Sequence, residues 1–96
     1  MASTKEYLEF VLGQIKEVGI THKKMMGEYL LYANGVLFGG IYNDRLLIKP
    51  TEKARGLLPN ADYGIPYDGA KPMIICDFVD DSERLCATIK QLAYDL

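Results

Sequence analysis

The sequence is short of cysteine and histidine, of net charge and of long apolar runs, and each shortage excludes something. Two cysteines in 96 residues, Cys76 and Cys86, are too few for the disulfide framework of a small secreted domain, and they form no CxxC pair. Both sit inside apolar patterns, so we expect them reduced and buried. The single histidine, His22, and two separated cysteines fall short of the about four clustered ligands of a zinc site. No serine-centred elbow or Cys–His signature accompanies His22. It reads as an exposed loop histidine just before a strand, and Cys76 reads as core packing. No catalytic residue, metal or cofactor is expected, and the chain reads as a non-enzyme. A net charge of −2 and a pI near 5.3 lend no support to a stand-alone nucleic-acid binder, whose affinity comes largely from neutralising phosphates. There is no basic-then-apolar leader and no run of membrane-spanning length, so a cytoplasmic protein is expected.

What is present is enough for one core. Hydrophobic residues make up 49% of the chain, which argues against disorder, and the length suits a single domain over 1–96. A domain this small buries a modest fraction of its surface, so a dimer that covers more apolar area would help it. Ser3 and Glu6 have capping-box spacing. Tyr7, Leu8, Val11, Leu12, Ile15 and Val18 then recur at helical period, and Gly19 suits the left-handed end of that helix.

Three apolar runs follow, Tyr29–Ala33, Val36–Tyr42 and Arg45–Lys49, joined by Asn34-Gly35 and Asn43-Asp44. Such two-residue linkers favour type I′ hairpin turns, which need positive φ at both positions. The expected product is a three-stranded meander with Leu31 opposite Phe38, Tyr29 opposite Gly40, and Tyr42 opposite Arg45. That register places Leu30, Tyr32, Leu37, Gly39, Ile41, Leu46 and Ile48 on an uncharged face toward the helices. It places Tyr29, Leu31, Val36, Phe38, Gly40, Tyr42, Arg45, Leu47 and Lys49 on a more accessible face. Thr51 caps a short helix to about Leu58, stopped by Pro59. Residues 60–71 form a loop and Met73–Phe78 a strand. Asp80 and Glu83 cap a last helix with stripe Leu85, Cys86, Ile89, Leu92, Ala93 and Leu96. The class is α+β, two-layer, an antiparallel sheet with helices on one face.

The candidate interaction face is Tyr29, Phe38, Tyr42, Arg45 and Lys49. Aromatics and arginine are enriched at protein interfaces, and the same residues can stack on bases and phosphates of a single strand. Burial beneath the loop at 60–69 or beneath a second copy is a third reading, and a small-ligand site beside His22, Arg45 or that loop a fourth. Gly39-Gly40 matches no phosphate loop and marks a bulge or a large side chain lying over the backbone. Asp77, Asp80 and Asp81 lack EF-hand spacing and read as caps and solvated charge.

The run Lys24-Met25-Met26-Gly27-Glu28-Tyr29-Leu30-Leu31-Tyr32, with Asn34-Gly35-Val36-Leu37-Phe38-Gly39-Gly40, resembles the N-terminal domain of the TfoX/Sxy family. So do Asp44-Arg45-Leu46-Leu47-Ile48-Lys49-Pro50 and Pro66-Tyr67-Asp68-Gly69-Ala70-Lys71-Pro72-Met73. The family's Met-Phe-Gly signature stands here as Met25-Met26-Gly27. The resemblance implies a secretion-chaperone-like fold of order α-β-β-β-α-β-β-α, with a short strand near Tyr63–Tyr67. Founding members of the family regulate competence genes with the cyclic-AMP receptor protein and carry a C-terminal helical domain. The chain is expected to be a stand-alone N-terminal-type domain. The resemblance implies a protein-interaction domain and transcriptional co-regulator, with a protein partner such as the cyclic-AMP receptor protein. A homodimer is expected from the small core and the aromatic face, and direct nucleic-acid binding and membrane contact are not expected from the charge and the lack of a spanning run.

Overall fold

The structure, a computed structural model, describes residues 3–94. Helix α1 (Lys5–Gln14) leads through a 3₁₀ turn (Lys16–Val18) into strands β1 (Ile20–Met25), β2 (Glu28–Ala33), β3 (Val36–Ile41) and β4 (Leu46–Ile48). Helix α2 (Glu52–Leu57), strands β5 (Tyr63–Gly64) and β6 (Met73–Ile75) and helix α3 (Ser82–Tyr94) complete the chain. The six strands make one antiparallel sheet in the order β1-β2-β3-β4-β6-β5. The α+β class is as expected. The order has one strand more than expected, β1, and the short strand β5 lies within the segment that the resemblance implied.

Local signals set most element ends, with corrections. Thr4 caps α1, its Oγ1 accepting the Tyr7 N–H at 3.2 Å, while Ser3 is drawn into a tertiary network. The helix stops at Gln14, earlier than Gly19, because the Gln14 carbonyl accepts from Ser82 Oγ and Cys86 Sγ of α3. The chain tightens into a 3₁₀ turn, with Val18 N–H donating to Ile15 O, and Gly19 ends that turn at φ 72°. Thr51 caps α2 as expected. Asp81, rather than Asp80, caps α3 by accepting the Arg84 N–H. The final residue of the expected α3 stripe, Leu96, lies outside the described residues.

The turn residues Asn34 and Gly35 adopt φ of 53° and 73°, and Asn43 and Asp44 53° and 56°, as type I′ hairpins require. Between the turns the straight register fails. Ala33 pairs with Val36 and Tyr32 with Leu37, but Leu31 then pairs with Gly39 and Tyr29 with Ile41, leaving Phe38 as an extra residue in a β-bulge. One extra residue inverts the alternation of everything beyond it. Tyr29, Leu31 and Phe38 therefore join Ile41, Leu46 and Ile48 in the core, which also holds Leu8, Val11, Ala54, Leu85 and Ile89 from all three helices. Leu30, Tyr32 and Leu37, expected in that core, take the other face, where they are half-buried.

Candidate contact surface

The bulge divides the expected interaction face. Tyr29 is 7% and Phe38 3% exposed, both packed under the helices. Tyr42 and Arg45 keep the opposite, helix-free face, but Tyr42 is 6% exposed, as buried as Tyr29, and Arg45 is half-buried, both against the segment at Ile65 and Tyr67. Lys49 is exposed just past β4, its N–H bonded to Phe38 O. The five residues do not form one surface. Strict alternation, which assigned them together, holds only where no residue is inserted.

The helix-free face is built in rows. Lys23, Leu30, Gly40, Leu47 and Ile75 lie across five neighbouring strands in one register line. Beside it lie Thr21, Tyr32 and Leu37. Tyr42 folds its ring over Gly40, where a Cβ would sit 2.8 Å from a ring carbon. The two readings given as alternatives for the glycine pair both occur: Tyr42 lies over Gly40, and Gly39 follows the bulge. Arg45 reaches toward β5, its Nη2 donating to Ile65 O at 3.2 Å, and its buried Nε has no partner among the described residues. The Tyr67 ring lies 6.3 Å from that of Tyr42. Burial first, and then Tyr67, Glu28 and Tyr32, hold the Tyr42 phenol above its usual 10.0.

Sheets with one solvated face normally turn polar residues outward. Here the helix-free side, with Leu47 and Tyr42 buried at its centre, offers half-buried Leu30, Tyr32, Leu37 and Ile75 beside exposed Ile65 and a Tyr67 that is 61% exposed.

The second exposed feature is the β1–β2 hairpin, whose first strand lies outside the three-stranded meander expected over residues 29–49. Five of the six residues of β1 are exposed, and His22 lies within this strand rather than in a loop, its ring edge-on to Tyr29 at 6.2 Å. Met26-Gly27 forms the turn with φ of 53° and 83°. The Met26 side chain is 96% exposed. A two-residue x-Gly spacer ahead of Glu28 was the one local signal that marked this hairpin.

Polar ties hold the chain start against this sheet. The Glu28 carboxylate accepts Ser3 N–H at 2.9 Å, Ser3 Oγ–H at 2.6 Å and Asn43 N–H at 3.2 Å. Asp44 accepts the Thr4 N–H at 2.8 Å. Elsewhere, a hollow of about 190 Å³ opens between the end of α2 and the start of α3, lined by Leu57, Pro59, Asn60, Asp77, Phe78 and Arg84. The Arg84 guanidinium lies 3.9 Å above the Phe78 ring there, and none of the five expected face residues lines it. Cys76 and Cys86 are both buried and free. Burial pushes the Cys76 thiol up to about 11. Among the described residues no helix is long and apolar enough to cross a membrane.

Fold and surface together define a two-layer α+β domain whose single sheet is packed by helices on one side and free of helices on the other. The TfoX N-terminal domain matches residues 12–94, nearly the whole chain, and the protein belongs to that family. An uncharacterized 12.7 kDa protein in the trpE 5′ region of Spirochaeta aurantia is 35% identical over 80 residues, spanning 82% of this chain and 70% of that protein.

Proposed function

We propose that this chain is a non-enzymatic protein-interaction domain that pairs with a second copy of itself through the helix-free sheet face. The observation that carries the reading is the apolar character of that face: Leu30, Tyr32, Leu37 and Ile75 half-buried, Ile65 and Tyr67 exposed, with Tyr42 and Arg45 beneath. Aromatic and aliphatic groups around an arginine are the composition of interface centres. Isologous pairing of one patch with itself is the commonest route to a small oligomer. Family membership supports a role for the dimer in transcription, as a cytoplasmic co-regulator of competence-type genes that acts with machinery such as the cyclic-AMP receptor protein.

The separation of Tyr29 and Phe38 from Tyr42 and Arg45 removes the aromatic row on which single-strand stacking depended, so the nucleic-acid reading gains nothing from the structure.

Light scattering across a concentration series tests the proposal. The expected result is the mass of a dimer that falls to that of a monomer when Ile65 and Tyr67, both outside the core, are replaced by Ser. A wild-type mass of one chain at every concentration refutes the self-pairing.

A further inference from the structure

Taking the chain as an interaction domain, we propose that the outer edge of β1 receives an extended, acidic segment of a different protein, which joins the sheet as an added strand. The proposal deepens the interaction reading and assigns a second surface, separate from the open face.

The backbone supplies the docking groups. β1 is the outermost strand, and no described segment pairs with its outer side. With five of six residues exposed, it presents the unpaired N–H and C=O row on which strand addition depends. The opposite edge, β5, has two residues and is followed by Pro66, so it offers little ladder.

The side chains choose the occupant. Residues directly opposed in an antiparallel ladder share a face. His22 and Lys24 lie on the Leu31 and Tyr29 side, and Lys23 on the Leu30 side, so the strand is basic on both faces. Between Ile20 and Gly27 there is no acid. The nearest, Glu28, is engaged by Ser3 and Asn43. In a chain of net charge −2, this positive stripe is a local feature. A second copy added through β1 would bring the Lys23-Lys24 pair of one strand against that of the other, and like charges directly opposed are destabilising. A strand carrying Glu or Asp opposite these residues is matched on both faces. At the tip, Met26 stands almost fully in water and Met25 is half out. Thioether side chains adapt to irregular apolar partners, so an apolar residue flanking the acidic stretch finds contact there.

The test uses the intact protein and a fluorescein-labelled peptide that alternates Glu with Val. Two control peptides have Lys for Glu, or Pro at every Val. Anisotropy should show saturable binding of the acidic peptide alone, weakened by salt. The double substitution K23E/K24E, at exposed positions, should weaken it by about tenfold or more, from two cross-strand pairs turned repulsive. Amide exchange should slow along residues 20–25 on binding. No saturation at low salt, equal binding to the double variant, or unchanged exchange in β1 each overturns the proposal. Protection of β1 in the protein alone at high concentration also overturns it, by making the occupant a second copy. The dimer mass and its loss in the Ile65/Tyr67 variant read the open face independently, so failure at this edge is distinguishable from failure of the interaction reading.

Discussion

Replacing Gly39 by alanine tests the bulge that decides the faces of the sheet. A Cβ built on Gly39 would lie 2.2 Å from Leu47 O, 3.1 Å from Ile48 Cα and 3.2 Å from Leu47 C. All three are backbone atoms of β4, so no side chain can swing away. The closest contact is about 1.2 Å short of the 3.4 Å where ordinary contact begins, and β3 must draw off β4 by about that much to admit a methyl group. Overpacking of this kind costs about 1–3 kcal/mol. Stretching the flanking ladder bonds adds about 1 kcal/mol for each one lost. A total of about 3–5 kcal/mol is a large part of the about 5–15 kcal/mol that holds a domain together. Urea unfolding followed by circular dichroism should show the midpoint fall sharply with little change in slope. Gly13→Ala is the control. Gly13 lies inside α1 with nothing within 4 Å of its added Cβ, and the change should stabilise by up to about 1 kcal/mol. A Gly39→Ala midpoint within about 1 kcal/mol of wild type would refute the close approach and, with it, the observed register.

Two further predictions concern the polar ties and the thiol. Glu28→Gln removes the charge from three hydrogen bonds that hold Ser3 and Asn43. It should cost about 1–3 kcal/mol and speed amide exchange at Ser3 and Asn43, with β6 unchanged. Cys76 is raised from an ordinary 9.0 to about 11 by burial, so the unfolded chain ionises first. The contribution is whole below pH 9 and is lost as pH rises toward about 11. Tyr7 and Tyr42, both raised from 10.0 by burial, extend the loss to higher pH. Unfolding at stepped alkaline pH should show this limb, shallower in Cys76→Ala. A disulfide reagent should label Cys76 far more slowly in the native than in the unfolded protein.

What was legible in the sequence was local in origin. Asn34-Gly35 and Asn43-Asp44 specify their turns because positive φ is tolerated there. Thr51 and the stripe of α3 specify their helices because caps and 3.6-residue periodicity act over a few neighbours. The α1 cap and stop were misplaced by small shifts, since Ser3 and the Gln14 carbonyl spend their hydrogen bonds on distant partners. β1 escaped notice for a different reason. Hydrophobic alternation reports a buried face, and a strand at the sheet edge with water on both sides has none to report.

For the candidate surface, the residues alone supplied the aromatics, the arginine and the paired glycines, with a bulge or an overlying side chain as alternatives for the pair. They did not supply the side of the sheet on which each aromatic falls. That was decided by one inserted residue, Phe38, whose place depends on Gly39 fitting against the backbone of β4. Local turns, caps and periodicity specify the α+β class, and the motif runs carry the resemblance to the TfoX N-terminal domain that the match over residues 12–94 shows. Only the approach of two strands brought together by the tertiary fold determined that Tyr29 and Phe38 fill the core beneath the helices while Tyr42 and Arg45 lie on the helix-free side, because a change of one in a period of two reverses every position beyond it.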